Sequence, residues 1–148
     1  MHTTELNALL TTIERLCQKR QIRLTEQRKV VLRLLAQANG AISAYDLLDQ
    51  LKEVEHQAKP PTIYRALDFL LQQGFIHKVE STNCYILCRH FADPLHTSVL
   101  FICVKCRQVS EQAAKNIESE LSAIANAHQF KLQHSVVEVH GLCAQCQY

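Results

Sequence analysis

Two Cys-x-x-Cys knuckles restrict this chain more than any other feature: Cys103-Val104-Lys105-Cys106 and Cys143-Ala144-Gln145-Cys146. At this spacing a tight turn lets two thiolates share one tetrahedral zinc, and two such turns complete a four-sulfur shell with no open position. A closed shell holds a fold and performs no catalysis, and it can contribute on the order of 10 kcal/mol to folding. The 36 residues between Cys106 and Cys143 exceed ordinary ribbon spacing, but an intervening strand, helix and strand would return the second knuckle beside the first. A redox role fits less well, because neither knuckle has the Trp-rich strand-to-helix context of a thioredoxin. The total of seven cysteines is odd, as expected where thiols bind metal and do not pair. Met1-His2-Thr3-Thr4-Glu5 carries no basic cluster ahead of an apolar stretch, so no secretory signal is read and a cytoplasmic protein is expected. With 47% apolar residues the chain is not disordered, and the apolar run at Val99–Cys103 is too short to cross a bilayer.

Charge and cysteine placement divide the chain. The net charge is only +2, yet Arg15 to Arg33 holds seven basic residues against the single acid Glu26. Six of the seven cysteines lie beyond Asn83. An α+β protein is expected, with residues 1–90 forming a winged helix-turn-helix domain, 91–97 a hinge around Asp93-Pro94, and 98–148 a small α/β domain. Apolar residues recur three and four apart at Leu6, Leu9, Leu10, Ile13, Leu16 and Cys17, and again at Val30, Val31, Leu34, Leu35 and Ala38. Asn39-Gly40 should stop the second helix. Ser43 should cap a third that turns Leu47, Leu48 and Leu51 inward. A fourth is expected from about Thr62 to Gly74, burying Ile63, Ala66, Leu67, Leu70 and Leu71 and exposing Tyr64, Arg65 and Asp68. Phe75–Glu80 and Cys84–Cys88, joined by Ser81-Thr82-Asn83, read as a hairpin, the wing. Beyond the hinge the pattern predicts strands at Val99–Cys103, Gln108–Ser110 and Phe130–Val139. A helix is expected from Glu111 or Gln112 to His128, burying Ile117, Leu121, Ile124 and Ala125.

The exposed face of the fourth helix is the candidate DNA reader, since Arg65 can make a bidentate contact to guanine and Tyr64 can reach a base or phosphate. Arg23, Arg28, Lys29, Arg33 and Lys59 could neutralise phosphates and fix its register. Near the boundary lies a looser set of metal donors: His77, Cys88, His90, His96 and Glu111. Each also has a plain reading, Cys88 as a buried thiol, His77 as a strand residue, His96 as a linker histidine and Glu111 as a helix N-terminal acid. Donors drawn from both sides of a hinge would couple metal occupancy to domain orientation.

Arg23-Leu24-Thr25-Glu26-Gln27-Arg28, Pro61-Thr62-Ile63-Tyr64-Arg65-Ala66-Leu67 and the two knuckles, the second entered through His140-Gly141-Leu142-Cys143, resemble the ferric-uptake-regulator superfamily over almost the whole chain. Ala41–Leu48, Lys59–Thr62 and His77–Ser81 resemble its zinc-sensing branch. The resemblance implies a homodimer that binds AT-rich inverted-repeat operators in double-stranded DNA when zinc is plentiful and represses zinc-import genes. It implies two zinc ions per protomer: a structural one on Cys103, Cys106, Cys143 and Cys146, and a regulatory one on His77, Cys88, His96 and Glu111; apart from the resemblance, His90 or Cys84 offers a donor of the right type to replace one of these. It places Tyr45, Tyr64 and Arg65 at DNA and assigns dimerisation to the C-terminal domain.

The iron-sensing branch carries a His-His-Asp-His run that His90-Phe91-Ala92-Asp93-Pro94-Leu95-His96 lacks, and a thiolate at Cys88 suits zinc better than iron. A relative sensing another metal or peroxide, and a zinc-ribbon interaction module, are the alternatives. An enzyme is not expected, nor a membrane or small-molecule partner. A zinc deaminase would need His-x-Glu and Pro-Cys-x-x-Cys, and Glu138-Val139-His140 runs in the reverse order.

Overall fold

The computed structural model describes residues 2–38, 40–92 and 96–148. Asn39, within the expected stop of the second helix, and Asp93, Pro94 and Leu95, within the expected hinge, lie outside them. The chain divides into two compact units, Met1–Cys88 and Arg89–Tyr148.

The first unit opens with α1 (Thr3–Lys19), which buries Leu6, Leu10, Ile13 and Cys17 at helical spacing. Helix α2 (Glu26–Gln37) is capped by Thr25, whose side chain accepts the Arg28 N–H, and buries Val31, Leu32, Leu35 and Ala36. Its apolar stripe is therefore turned about one residue from the Val30, Val31, Leu34, Leu35 face expected. Strand β1 (Ile42–Ser43) runs into α3 (Ala44–Lys52), where the Ser43 hydroxyl accepts the Asp46 N–H at 3.1 Å and Leu47, Leu48 and Leu51 point inward. Helix α4 spans Pro60–Gln72 and so starts two residues before the Thr62 expected. Two prolines are tolerated there because first-turn N–H groups have no intrahelical partner to lose, and Thr62 Oγ1 accepts the Lys59 N–H in a half capping box. Gly74, at φ +76°, ends the helix. The wing follows as β2 (Ile76–Val79) and β3 (Cys84–Leu87), turned at Asn83 with φ +53°. Strand β1 pairs with β3 through Ile42↔Tyr85, making a three-stranded sheet in the order β1-β3-β2. Two residues carry no periodicity, so β1 was not predicted.

The second unit holds β4 (Thr97–Cys103), β5 (Val109–Ala113), α5 (Lys115–Ala127) and β6 (Ser135–Gly141). Its sheet has the order β5-β4-β6, with β4 and β6 parallel and α5 in the crossover. Three expectations need correction. The helix does not begin at Glu111 or Gln112, because Glu111 pairs with Leu100, Gln112 with Val99 and Ala113 with Ser98, so the ladder captures them as strand. The last strand runs over Ser135–Gly141, not Phe130–Val139: the Phe130 N–H still closes onto the Ala125 carbonyl, and pairing with β4 starts at Thr97↔Ser135. Only Ala125 of α5 is buried; Ile117 and Ile124 are 41% and 56% exposed. No helix among the described residues is long and apolar enough to cross a membrane.

Candidate metal centre and nucleic-acid interface

Parallel pairing of β6 with β4 ends at Cys103↔Gly141, so the two chain ends that carry the knuckles emerge side by side. The Val104 N–H donates to the Gly141 carbonyl, Arg107 N–H to the Cys103 carbonyl and Cys146 N–H to the Cys143 carbonyl, closing both turns. Arg107 takes φ +64° in the first turn. The sulfurs of Cys103, Cys106, Cys143 and Cys146 all lie within 4.8 Å of one another, with Cys106 and Cys143 at 3.8 Å. Four sulfurs placed tetrahedrally about 2.3 Å from zinc are themselves about 3.8 Å apart, so the donor set and its spacing fit that ion. Backbone N–H groups of Cys106 and Cys143 hold the Cys103 thiol down at about 6, the Cys143 donor lying 3.4 Å from its Sγ. The Cys146 thiol is pushed up to about 12, first by its bond to Cys143 and then by burial. Crowded sulfurs cannot all ionise together unless a cation compensates them.

The other four predicted donors fall into two pairs. In the first unit, His77 sits on β2 and Cys88 just past β3, where the Cys88 N–H donates to the Phe75 carbonyl. Both are buried, and a ring nitrogen of His77 lies within 4.8 Å of Cys88 Sγ. In the second unit, His96 precedes β4 and Glu111 lies on β5; both are half-buried, with an imidazole nitrogen within 4.8 Å of a Glu111 oxygen. The Ser98 hydroxyl donates to Glu111 Oε1 at 3.2 Å, and the His90 and His96 rings meet edge-on at 6.0 Å. Cys17 is buried and Cys84 half-buried. Burial raises the Cys17 thiol.

On the first unit, α4 presents Tyr64 (46% exposed) and Arg65 to solvent, and Tyr45 at the start of α3 is 74% exposed. Arg23 is exposed, as is Lys59 at the entry to α4. Arg28 is placed differently: its guanidinium carbon lies 3.7 Å from the centre of the Phe69 ring, and Nη1 donates to the Arg23 carbonyl at 2.6 Å. Lys29 pairs with Glu14 at 3.0 Å and Glu26 at 3.1 Å, and their hydrogen bonds raise its ammonium above the usual range. The contact between Arg28 and Phe69 is not legible in the sequence, since nothing in a helical apolar stripe marks one ring as the seat of an arginine from another helix.

The model of the ferric uptake regulator family matches residues 19–140. The zinc uptake regulation protein of Escherichia coli strain K12 is 56% identical over 146 residues, which cover 99% of this chain and 85% of that protein. A solved zinc uptake regulator complexed with zinc and DNA superposes with a TM-score of 0.89 at 54% identity, covering 98% of this chain and 95% of that one. Holo XcZur superposes with a TM-score of 0.84 at 42% identity, covering 94% and 96%.

Proposed function

The chain belongs to the ferric uptake regulator family, and we propose that it is a zinc-responsive transcriptional repressor. With zinc bound it binds AT-rich inverted-repeat operators as a dimer and represses zinc-uptake genes in the cytoplasm. The observation that carries this reading is the similarity, over 98% of the chain, to a zinc uptake regulator complexed with zinc and DNA. The protein is then a regulator and not an enzyme. In this reading residues 1–90 read DNA, 91–97 form the hinge and 98–148 dimerise.

Cys103, Cys106, Cys143 and Cys146 would hold one zinc, closed to substrate, that compensates four thiolates and fastens the end of β4 to the end of β6. His77 and Cys88 from one unit, with His96 and Glu111 from the other, would hold a second. Sulfur, imidazole and one carboxylate make a donor set suited to zinc. Because the two pairs belong to different units, filling this shell would select one relative orientation of them, the one competent for DNA. Turning a 1:99 population into 99:1 requires a preference of about 5.5 kcal/mol for that orientation.

On DNA, the α4 face would enter the major groove with Arg65 on a base edge and Tyr64 beside it, Tyr45 adding a contact from α3. Arg23 and Lys59, both exposed, would serve the phosphate backbone, with Arg28 fixing the register of the same face. The exposed Ile117, Ile124 and Phe130 of the second unit would be covered by the second protomer.

Zinc stoichiometry per protomer, measured before and after a mild chelator, followed by a gel-shift assay, tests the reading. Two ions are expected, one readily removed, with operator binding lost at the same step. Equal operator binding before and after removal would refute it. Titration with manganese, nickel and iron in place of zinc separates this repressor from relatives that sense other metals.

A further inference from the structure

The basic segment from Arg15 to Arg33 looks in sequence like a phosphate-binding patch, but two of its arginines are directed at α4. Arg28 leaves α2 and sets its guanidinium carbon over the Phe69 ring, 3.7 Å from the ring centre. The same group reaches back to the Arg23 carbonyl at 2.6 Å. Its own N–H is held by the Thr25 cap at 3.3 Å. Arg20, in the residue after α1, does the equivalent at the far end of α4. Its Nη1 donates to the Gln73 carbonyl at 2.8 Å, and its guanidinium lies 5.3 Å from the Phe75 ring centre. Phe69 directly follows Asp68 on the helix that exposes Tyr64 and Arg65.

We propose that Arg28 is a positioning residue for DNA reading: stacked on Phe69 and bonded to the Arg23 carbonyl, it holds helix α4 and the exposed Arg23 in one fixed relation and does not itself neutralise a phosphate. Arg20 secures the end of the same helix. A bidentate contact from Arg65 to a base edge depends on the pose of α4, since small misplacement of a fork donor loses the second bond. A planar guanidinium can both stack and donate sideways, whereas an ammonium cannot reproduce that pair of contacts. This proposal rests on the repressor reading above.

The test uses full-length zinc-loaded protein, an AT-rich inverted-repeat duplex selected by that protein from a random library, and a scrambled duplex of equal length. Affinity for both is measured by fluorescence anisotropy across a range of salt concentrations. Arg28→Lys keeps the charge and removes the stack. It should weaken selected-duplex binding about tenfold, the size of a partly desolvated cation–π contact, with scrambled-duplex binding and the salt slope unchanged. A phosphate contact predicts instead that Arg28→Lys resembles wild type, while Arg28→Gln weakens both duplexes alike and lowers the salt slope by about 0.9; that result overturns the proposal. Phe69→Leu leaves Arg28 in place and should show the same selective loss. A wild-type preference in Phe69→Leu, or equal loss on both duplexes, overturns the proposal whatever becomes of Arg28→Lys. The double variant should be no weaker than either single one, and multiplied losses would show that the two residues do not act together. If wild-type protein shows no preference for the selected duplex, the repressor reading fails first.

Discussion

Helices α4 and α5 each have 13 residues and one apolar face, yet they meet opposite fates. Helix α4 buries Ile63, Ala66, Leu67 and Leu70 among α2, α3 and the wing. Helix α5 buries Ala125 alone and leaves Ile117 and Ile124 open. The first unit thus closes a hydrophobic core around its own helices. The second is a three-stranded sheet with one loosely covered helix, and its small core centres on Val99, Leu100, Ile102 and Cys103. A unit of that size buries only a marginal apolar surface against its chain entropy. In this reading metal and a second protomer supply what its core lacks, whereas the first unit needs neither.

The largest effect expected from this contrast is that of Cys103→Ser. Loss of the closed thiolate shell should remove on the order of 10 kcal/mol from the second unit, so its amide resonances should collapse while those of the first unit persist. Melting of both units together would break the contrast. Cys88→Ser should spare both folds and the dimer but remove the zinc-dependent gain in operator affinity, up to about 5.5 kcal/mol; residual zinc-dependent binding by gel shift would contradict the split donor set. Leu67→Ala, in a side chain with no exposed surface, should cost about 2–5 kcal/mol in the first unit. Chemical denaturation should show this with retention of the Cys103 zinc unchanged. Ile124→Glu should leave each unit folded and shift dimer to monomer in sedimentation, because the charge would have to be desolvated in the interface. An unchanged dimer would place the interface elsewhere.

A smaller effect concerns protons. Without metal, the lowering of Cys103 to about 6 favours its thiolate near neutral pH, and the raising of Cys146 to about 12 favours its thiol. Zinc requires both deprotonated, so binding at pH 7 should release the Cys146 proton and little from Cys103. Affinity should rise with pH and fall more steeply below about 6. Calorimetry in buffers of different ionisation enthalpy checks this, and affinity that strengthens on acidification would refute it.

Much of this was legible because local rules and tertiary packing agree in the first unit. Ser43 as cap, the inward Leu47, Leu48 and Leu51, the hairpin about Ser81-Thr82-Asn83 and the outward Tyr64 and Arg65 all follow from spacing and capping. The hairpin register also brings Cys88 beside His77, and the knuckle motif foretells four neighbouring sulfurs. Errors gather where pairing outweighed propensity. Gln112 and Ala113 read as helix until β4 takes them into its ladder, and Phe130–His134 reads as strand although β4 offers no partner for it. The α5 stripe is correctly helical, but periodicity cannot state whether anything covers it.

By itself the sequence determined the candidate donors, the caps and the helical spacing of the apolar residues, because these depend on residue type and on spacing within a turn or two. Only the tertiary structure decided which strand β4 captures, that β4 and β6 end together so the knuckles meet, and that Arg28 faces an aromatic ring. These depend on contacts between residues tens of positions apart, for which no local preference exists.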